Sequence, residues 1–210
     1  MENADSTNAA AMAAYMKGNF PFVGIKTGLR RDVQKEILLK HKKEIQAEAR
    51  TVALQLYNLP QREYHYYAIE ILIKELHKKF VPNDIDLIEH MLITHSWWDS
   101  VDTIAKYLLG GYLKQYPESI TTVIEKFSGS ENMWLNRSAI IFQLGYKKDT
   151  NAKLLFSLCE KHRLSKEFFI QKAIGWALRE YGKTNPEAVK NFVNIAQLKP
   201  LSTREALKNL

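Results

Sequence analysis

An internal repeat constrains the fold of this 210-residue chain more than any other feature of its sequence. A small residue followed by an aliphatic one recurs every 33 to 36 residues. The five pairs are Ala68–Ile69, Thr103–Ile104, Ala139–Ile140, Ala173–Ile174 and Ala206–Leu207. A period of this length is typical of paired helices that stack on their neighbours, because one pair cannot bury its apolar face alone. The repeat therefore predicts an all-α fold, namely a curved solenoid of stacked antiparallel helix pairs.

The local pattern of apolar residues is also helical along nearly the whole chain. In residues 68–80, apolar side chains recur at spacings of three and four, which places them on one face of a helix. No run alternates between apolar and polar residues over a length that would indicate a strand. Breaks between the helical segments are short and no linker is present, so a single domain is predicted over residues 1–210.

Three places carry residues that typically begin helices. Asn185–Pro186 predicts a helix start, because Asn caps the first turn and Pro fits the first helical position. Ser96 with Asp99, and Ser202 with Glu205, have the spacing of a capping box, in which each side chain bonds the backbone of the other. These residues are therefore expected to act locally, at helix starts.

The usage of cysteine, histidine and apolar residues excludes several classes of protein. Cys159 is the only cysteine, so the chain forms no internal disulfide and offers no thiolate metal cluster. The six histidines show none of the spacings typical of zinc sites, and no metal site is predicted. The N-terminus does not resemble a secretory signal, and no apolar run reaches the roughly 20 residues of a membrane helix. We therefore predict a cytoplasmic protein without a membrane partner.

The charge of the chain is distributed unevenly. Residues 1–133 contain 16 Lys and Arg against 17 Asp and Glu, whereas residues 134–210 contain 14 against 6. The formal net charge of +7 thus originates in the C-terminal third. Such asymmetry favours a polyanionic partner, above all nucleic acid. A solvated, lysine-rich surface would have the same composition and is the alternative interpretation.

The segment SWWDSVD, which begins at Ser96, places two of the four tryptophans beside two aspartates. On a helix that starts after Ser96, Asp99 has a structural role at the helix start, and Trp97 shares a face with the apolar residues that follow. Trp98 shares the neighbouring face with Asp102, four residues later. Because a carboxylate at Asp102 has no capping role, this second face is a candidate site.

Ordinary structural roles are also open to these residues, with Asp102 as a surface or ion-paired carboxylate and Trp98 as a half-buried packing residue. The repeat favours a site. Arg137 precedes its repeat pair as Asp102 does, and Trp176 lies three residues after Ala173. If adjacent repeats stack, these side chains converge on one concave surface. There the tryptophan faces would attract a cation, and the arginine would bind a phosphate.

Three segments resemble the DNA alkylation repair family of HEAT-like-repeat alkylpurine DNA glycosylases: SWWDSVD, MWLNRSAIIFQL around Arg137, and SKEFFIQKAIGWALREYGKTNP around Trp176. The resemblance extends to AAYMKGNFPFVGI near the N-terminus and covers nearly the whole chain. It implies that Asp102 is the catalytic residue, that Trp98 and Trp176 contact the lesion, that Tyr15 lines the cleft and that Arg137 contacts a DNA phosphate.

The implied reaction is the excision of N3- and N7-alkylated purines from duplex DNA by hydrolysis of the N-glycosidic bond, with the lesion recognised within the duplex. Alkylation at these nitrogens makes the base cationic and a good leaving group. One carboxylate is then sufficient to stabilise the oxocarbenium-like sugar. This chemistry requires no metal and no organic cofactor. Lys172 and Arg179, in the basic third of the chain, are predicted to contact DNA phosphates together with Arg137.

The alternative is a non-catalytic helical-repeat module that binds DNA or protein. Asp102 distinguishes the two, because a carboxylate repels phosphate, and a protein-binding module has no need of Arg137 or of the basic C-terminal third. We therefore expect a monomeric base excision repair enzyme that acts on double-stranded DNA carrying alkylated purines. Its expected location is the bacterial-type cytoplasm, with nucleoid association when it is bound to DNA.

Overall fold

The computed structural model describes residues 3–210, and the regular structure over this range is helical, without a strand. The prediction of an all-α fold is therefore confirmed. The chain divides into two compact units, of which the first ends at Lys79 and the second covers Phe80–Leu210. The single domain over residues 1–210 stays a prediction. No helix within residues 3–210 has the length and apolar character needed to span a membrane.

The first unit contains five helices in its described part. They are α1 (Ser6–Tyr15), α2 (Thr27–Lys40), α3 (Lys42–Ala47), α4 (Ala49–Tyr57) and α5 (Arg62–Glu75). Helices α4 and α5 pack against each other, and the buried pair Ala68–Ile69 lies on α5. The buried carboxylate of Glu63 accepts hydrogen bonds from the backbone N–H groups of Val23, Gly24 and Ile25, at 3.0, 2.8 and 3.2 Å. Glu63 thereby fixes the loop before α2 to the start of α5.

The second unit contains the remaining helices. They are α6 (Asp84–Ile93), α7 (Trp98–Thr103), α8 (Gly110–Gln115), α9 (Ile120–Ser128), α10 (Met133–Ile141), α11 (Ala152–Lys161), α12 (Phe168–Gly182), α13 (Pro186–Ala196) and α14 (Pro200–Leu207). A π-helical turn, Ile104–Leu109, joins α7 to α8, and short 3₁₀ turns occupy Pro117–Ser119 and Lys147–Asp149. Asn185 caps α13 by accepting the backbone N–H of Ala188 at 3.1 Å, with Pro186 at the first position, so that predicted helix start is confirmed.

The repeat pairs explain how the helices of the second unit pack. Helix α10 contacts α7 and its π-helical turn on one side and α12 on the other, and α12 contacts α14. Helices α9, α11 and α13 pack against this series. The repeat residues at the contacts are buried: Ile104, Ala139, Ile140, Ala173, Ile174 and Ala206. A small residue before an aliphatic one permits close approach of two helices and still fills the space between them. Equivalent helices of successive repeats therefore lie side by side.

Both predicted capping boxes are wrong. Helix α7 begins at Trp98 with Trp97 as its cap, and the Ser96 hydroxyl donates a 2.6 Å hydrogen bond to the carbonyl of Leu92, in the preceding helix. Helix α14 begins at Pro200. Ser202 consequently lies inside that helix, and its hydroxyl donates to a carbonyl of α12 rather than to its own helix start. At Ser96 the helix starts one residue later than predicted and the hydroxyl bonds back to the end of α6. At Ser202 the helix starts earlier than predicted and the hydroxyl bonds to a neighbouring helix.

Candidate active site

A cavity of about 410 Å³ in the second unit collects the predicted site residues of α7, α10 and α12. Its lining consists of Trp98, Asp102, Arg137, Phe168, Phe169, Lys172, Trp176, Arg179 and Glu205. Six of these nine residues were predicted from the sequence. They lie at related positions on helices that the repeat places side by side, so their convergence follows from the packing of the fold.

Asp102 and Arg137 form a bidentate ion pair at this cavity. The Arg137 Nε donates to Oδ1 of Asp102 at 2.7 Å, and Nη2 donates to Oδ2 at 2.9 Å. Both side chains are nearly buried, with exposed fractions of 15% for Asp102 and 5% for Arg137. The planar guanidinium therefore holds the carboxylate in one orientation. Asp102 lies in the last turn of α7, directly before the π-helical turn, and such turns are frequent near functional sites.

The start of α12 holds Arg137 in place. The remaining guanidinium nitrogen, Nη1, donates to the backbone carbonyl of Phe169, and the guanidinium carbon lies 5.9 Å from the centre of the Phe169 ring. That ring packs against the rings of Trp97 and Trp134, at centroid distances of 5.3 and 5.0 Å. An aromatic cluster from three successive repeats therefore positions the arginine, and through it the carboxylate.

Burial raises the pKa of the Asp102 carboxyl above its ordinary value, against the hydrogen bonds and charge of Arg137, which lower it. The nearby negative charge of Asp99 adds to the rise. Asp99 lies at the second position of α7, in its first turn, where the helix dipole stabilises a negative charge. A carboxylate that is desolvated and oriented by one partner has the environment expected of a reactive group.

Aromatic side chains surround this pair. Trp98 and Trp176 both line the cavity and are half-buried, so part of each ring surface faces the cavity. Phe168 also lines it and exposes 57% of its surface. Phe168 and Phe169 were not predicted as site residues, although Phe168 lies five residues before Ala173, as Trp98 lies five residues before Thr103. A comparison of equivalent repeat positions would have identified Phe168.

The two cations on α12 that were predicted to contact phosphates are both bound to one carboxylate. Lys172 Nζ lies 3.0 Å from Glu205 Oε1, and Arg179 Nη1 lies 2.8 Å from Glu205 Oε2. Hydrogen bonds from Arg179 and Lys172 lower the pKa of Glu205 to about 2. Sequence reasoning assigned Glu205 to a capping box and missed its place in the site.

Tyr15 belongs to the first unit, where it ends α1 and exposes most of its surface. Its role in lining a cleft stays a prediction. Among the residues that the structure describes, no cluster of three or more His, Cys, Asp or Glu side chains is arranged to bind a metal ion.

The fold and the cavity together define a helical-repeat protein with an aromatic-lined site centred on a carboxylate. A family model described as DNA alkylation repair enzyme matches residues 1–210, and the chain therefore belongs to that family. Membership indicates a role in the repair of alkylation damage to DNA.

Solved structures that are similar to the chain include the following two. One, described as a predicted DNA alkylation repair enzyme from Enterococcus faecalis, is 34% identical, with a TM-score of 0.90 over 99% of this chain and 97% of that chain. The other, smu.31 from Streptococcus mutans UA159, is 17% identical, with a TM-score of 0.62 over 86% of this chain and 97% of that one, which shows a common fold alone. A comparison with curated proteins finds no significant match.

Proposed function

We propose that this protein is a DNA glycosylase that hydrolyses the N-glycosidic bond of N3- and N7-alkylated purines in duplex DNA. Membership of the alkylation repair family supports the substrate class. The observation that carries the proposal is the bidentate pair of Asp102 and Arg137 at the wall of an aromatic-lined cavity. This arrangement presents a fixed, desolvated carboxylate, which is the group that the reaction needs.

The chemistry requires stabilisation of a positive sugar rather than protonation of a base. An N7- or N3-alkylated purine carries a positive charge and becomes neutral as it leaves, so no general acid is needed. As the glycosidic bond breaks, positive charge develops on the sugar, as in other glycoside hydrolysis. The Asp102 carboxylate stabilises this charge and orients the attacking water. Its effect is large because the group is already oriented and largely removed from solvent.

Arg137 acts first as a positioning residue in this proposal. Its hydrogen bonds to Asp102 and to the Phe169 carbonyl use three of the five N–H hydrogens that a guanidinium offers. Two donors remain for a phosphate oxygen, so the proposed phosphate contact is compatible with the ion pair. A duplex bound in this way would have its backbone fixed relative to Asp102.

Trp98 and Trp176 recognise the cationic base in this proposal. The face of an indole ring attracts a cation by about 0.5–2 kcal/mol, depending on how much water is excluded. A neutral purine receives no such stabilisation. The basic C-terminal third supports duplex binding without sequence preference, because 14 Lys and Arg face 6 Asp and Glu in residues 134–210.

The experiment that tests the function compares Asp102→Asn with Asp99→Asn in single-turnover release of 7-methylguanine from a duplex. Both variants remove one carboxylate of α7 and preserve side-chain shape, so they are matched in charge. Asp102→Asn is expected to retain duplex binding. Its rate of base release should fall on the order of 10²-fold or more, which is the scale of one lost preorganised contact. Asp99→Asn is expected to retain most of the release rate. Rates are corrected for spontaneous depurination of the same duplex.

Near-normal release by the Asp102→Asn protein would remove this mechanism. If the wild-type protein binds duplex but releases no base from any N3- or N7-alkylated purine, the non-catalytic DNA-binding module is the correct alternative. Equal losses in both variants would indicate that the local negative charge, rather than the oriented Asp102 carboxylate, is responsible.

A further inference from the structure

Three side chains of α12 face the cavity along one side of the helix. Lys172, Trp176 and Arg179 are spaced four and three residues apart, which places them on one helical face. The proposed lesion contact, Trp176, therefore has a cation one turn before it and another one turn after it. A cationic base that stacks on this tryptophan would lie within reach of both positive charges.

Glu205 of α14 binds both of these cations. Its two carboxylate oxygens lie 3.0 Å from Lys172 Nζ and 2.8 Å from Arg179 Nη1, and its backbone carbonyl accepts a further hydrogen bond from Arg179 at 3.0 Å. The exposed fraction of the Glu205 side chain is 15%, against 37% for Lys172 and 24% for Arg179. The carboxylate is thus the least exposed member of the group and lies between the two cations.

The packing of α14 on α12 fixes the position of Glu205. Ser202, one turn before it, is buried and donates a 3.0 Å hydrogen bond to the carbonyl of Gln171. Gly175 permits this close approach, because a Cβ atom at that position would lie 2.4 Å from the Cβ of Glu205. Glycine at this position therefore admits the Glu205 side chain to the cation-bearing face of α12.

The carboxylate is permanently charged at physiological pH, since its pKa of about 2 lies far below neutrality. The lining of the cavity then holds three cations, Arg137, Lys172 and Arg179, against two anions, Asp102 and Glu205. Without Glu205 the same cavity would hold three cations against one anion.

We propose that Glu205 is a specificity-determining residue that neutralises Lys172 and Arg179, so that the cavity accepts a cationic alkylated base and does not bind undamaged phosphate backbone too tightly. The inference rests on the proposed function. Without Glu205, both cations would repel a cationic base and would be available to phosphates. One unit of charge in the cavity should change the affinity for a cationic base, relative to a neutral one, roughly 2- to 10-fold.

The test measures binding rather than catalysis. Two duplex probes carry the same 2′-fluoroarabinose sugar, which resists hydrolysis, and differ in the charge of the base on it: 7-methylguanine is cationic and 7-deaza-7-methylguanine is neutral. The ratio of the two dissociation constants reports the preference for a cationic base. The dependence of the dissociation constant on salt, measured with undamaged duplex, reports the number of phosphates contacted.

A series of variants changes the charge of the cavity in steps. Glu205→Gln raises it by one unit, Lys172→Met lowers it by one unit, and the double variant of both restores the wild-type value. We expect the preference for the cationic probe to fall roughly 2- to 10-fold in Glu205→Gln, to rise in Lys172→Met and to return towards wild type in the double variant. The salt slope of Glu205→Gln should steepen by about one to two units, at about 0.9 for each phosphate.

Glu180→Gln is the matched control. Glu180 also lies on α12 and pairs with a lysine, Lys183, at 2.6 Å, but it does not line the cavity. The Glu180→Gln substitution removes the same formal charge, but outside the cavity. Because salt screens the effect of such a charge on a base in the cavity, the preference ratio should remain at the wild-type value.

The inference is overturned if the preference ratio does not follow the charge of the cavity, or if Glu180→Gln changes it as much as Glu205→Gln does. A purely structural role for Glu205 would weaken binding of both probes equally in Glu205→Gln and in the double variant, which also overturns it. Lys172→Met leaves Glu205 unchanged. It therefore tests whether the preference ratio follows the charge of the cavity even if Glu205→Gln does not fold. A wild-type protein that releases no 7-methylguanine would contradict the proposed function itself, whereas a binding preference that is absent or insensitive to these variants would contradict this inference alone.

Discussion

Each unit of the protein contains a carboxylate bound by a buried arginine, and the two pairs differ in what surrounds them. In the first unit, Arg30 donates to Glu70 at 2.8 and 2.9 Å. In the second, Arg137 donates to Asp102 at 2.7 and 2.9 Å. Both arginines lie beside aromatic rings, with Arg30 5.3 Å from the ring centre of Tyr67. Both pairs are thus bidentate, but Arg30 uses its two terminal nitrogens whereas Arg137 uses Nε and Nη2, and Glu70 also accepts a hydrogen bond from Arg31 at 3.1 Å.

Their electrostatic surroundings are opposite. Burial alone would raise the pKa of Glu70, but hydrogen bonds from Arg30 and from a second arginine, Arg31, outweigh it and lower the pKa below the ordinary value. At Asp102, burial outweighs the single arginine, Asp99 adds negative charge, and the pKa is raised. The Glu70 pair is therefore a stable structural contact. The charge of the Asp102 carboxylate is less completely compensated, which suits the role in stabilising a positive sugar that we propose for it.

The comparison is tested most strongly by removal of the arginine from each pair. Arg137→Gln is expected to slow base release roughly 10- to 100-fold, because Asp102 loses its fixed orientation. Arg30→Gln is expected to retain the release rate and to lower the free energy of unfolding by about 1–3 kcal/mol, because Glu70 loses its buried partner. Single-turnover release and chemical denaturation of both variants provide the measurement. An equal loss of release in the two variants would show that the pairs are not functionally different.

The aromatic surroundings of Asp102 give a smaller expected effect. Trp98→Leu and Trp176→Leu preserve apolar bulk but remove the ring face that attracts a cation. Each is expected to slow the release of 7-methylguanine roughly 2- to 30-fold, the range that corresponds to about 0.5–2 kcal/mol. The free energy of unfolding should change little, since both rings are half-buried. A large loss of stability with an unchanged rate in the remaining folded protein would identify the tryptophans as core residues.

The smallest expected effect is a shift in the pH below which base release slows. In the proposed mechanism Asp102 acts as an anion, so base release should fall as the pH drops through its pKa. Arg137 lowers that pKa and Asp99 raises it. Arg137→Gln should consequently move the acid limb of the pH–rate profile to higher pH, and Asp99→Asn should move it to lower pH. If the acid limbs of the two variants shift in the same direction, the group that titrates is not Asp102.

The helical fold could be predicted because its signal is repeated along the chain. Pairs such as Ala139–Ile140 and Ala173–Ile174 recur at one period and are buried at the helix contacts. The spacing of apolar residues indicates which face of a helix is buried, because the residues at a contact between two helices are mostly apolar. Asn185 was identified for a related reason, because its capping bond reaches only three residues along the chain.

Polar side chains with a choice of partners did not follow the predicted capping pattern. Ser96 and Ser202 both matched a capping pattern, yet each donates its hydroxyl to the carbonyl of a different helix. Glu205 likewise binds two cations of α12 instead of its own backbone. The partner of Ser96 lies four residues back, at the end of the preceding helix, where a forward capping pattern does not look. The partners of Ser202 and Glu205 lie on α12, beyond any pattern of four residues on α14.

The sequence by itself determined the helices, their period and the helix faces that carry Trp98, Asp102, Arg137 and Trp176, because these properties depend on spacing along the chain. Only the tertiary structure decided which charges meet. Asp102 and Arg137 are 35 residues apart and bond across two helices, and Glu205 reaches Arg179 from 26 residues away. An ion pair depends on distances of a few ångströms between side chains on different helices, and these distances exist only after the apolar faces have packed.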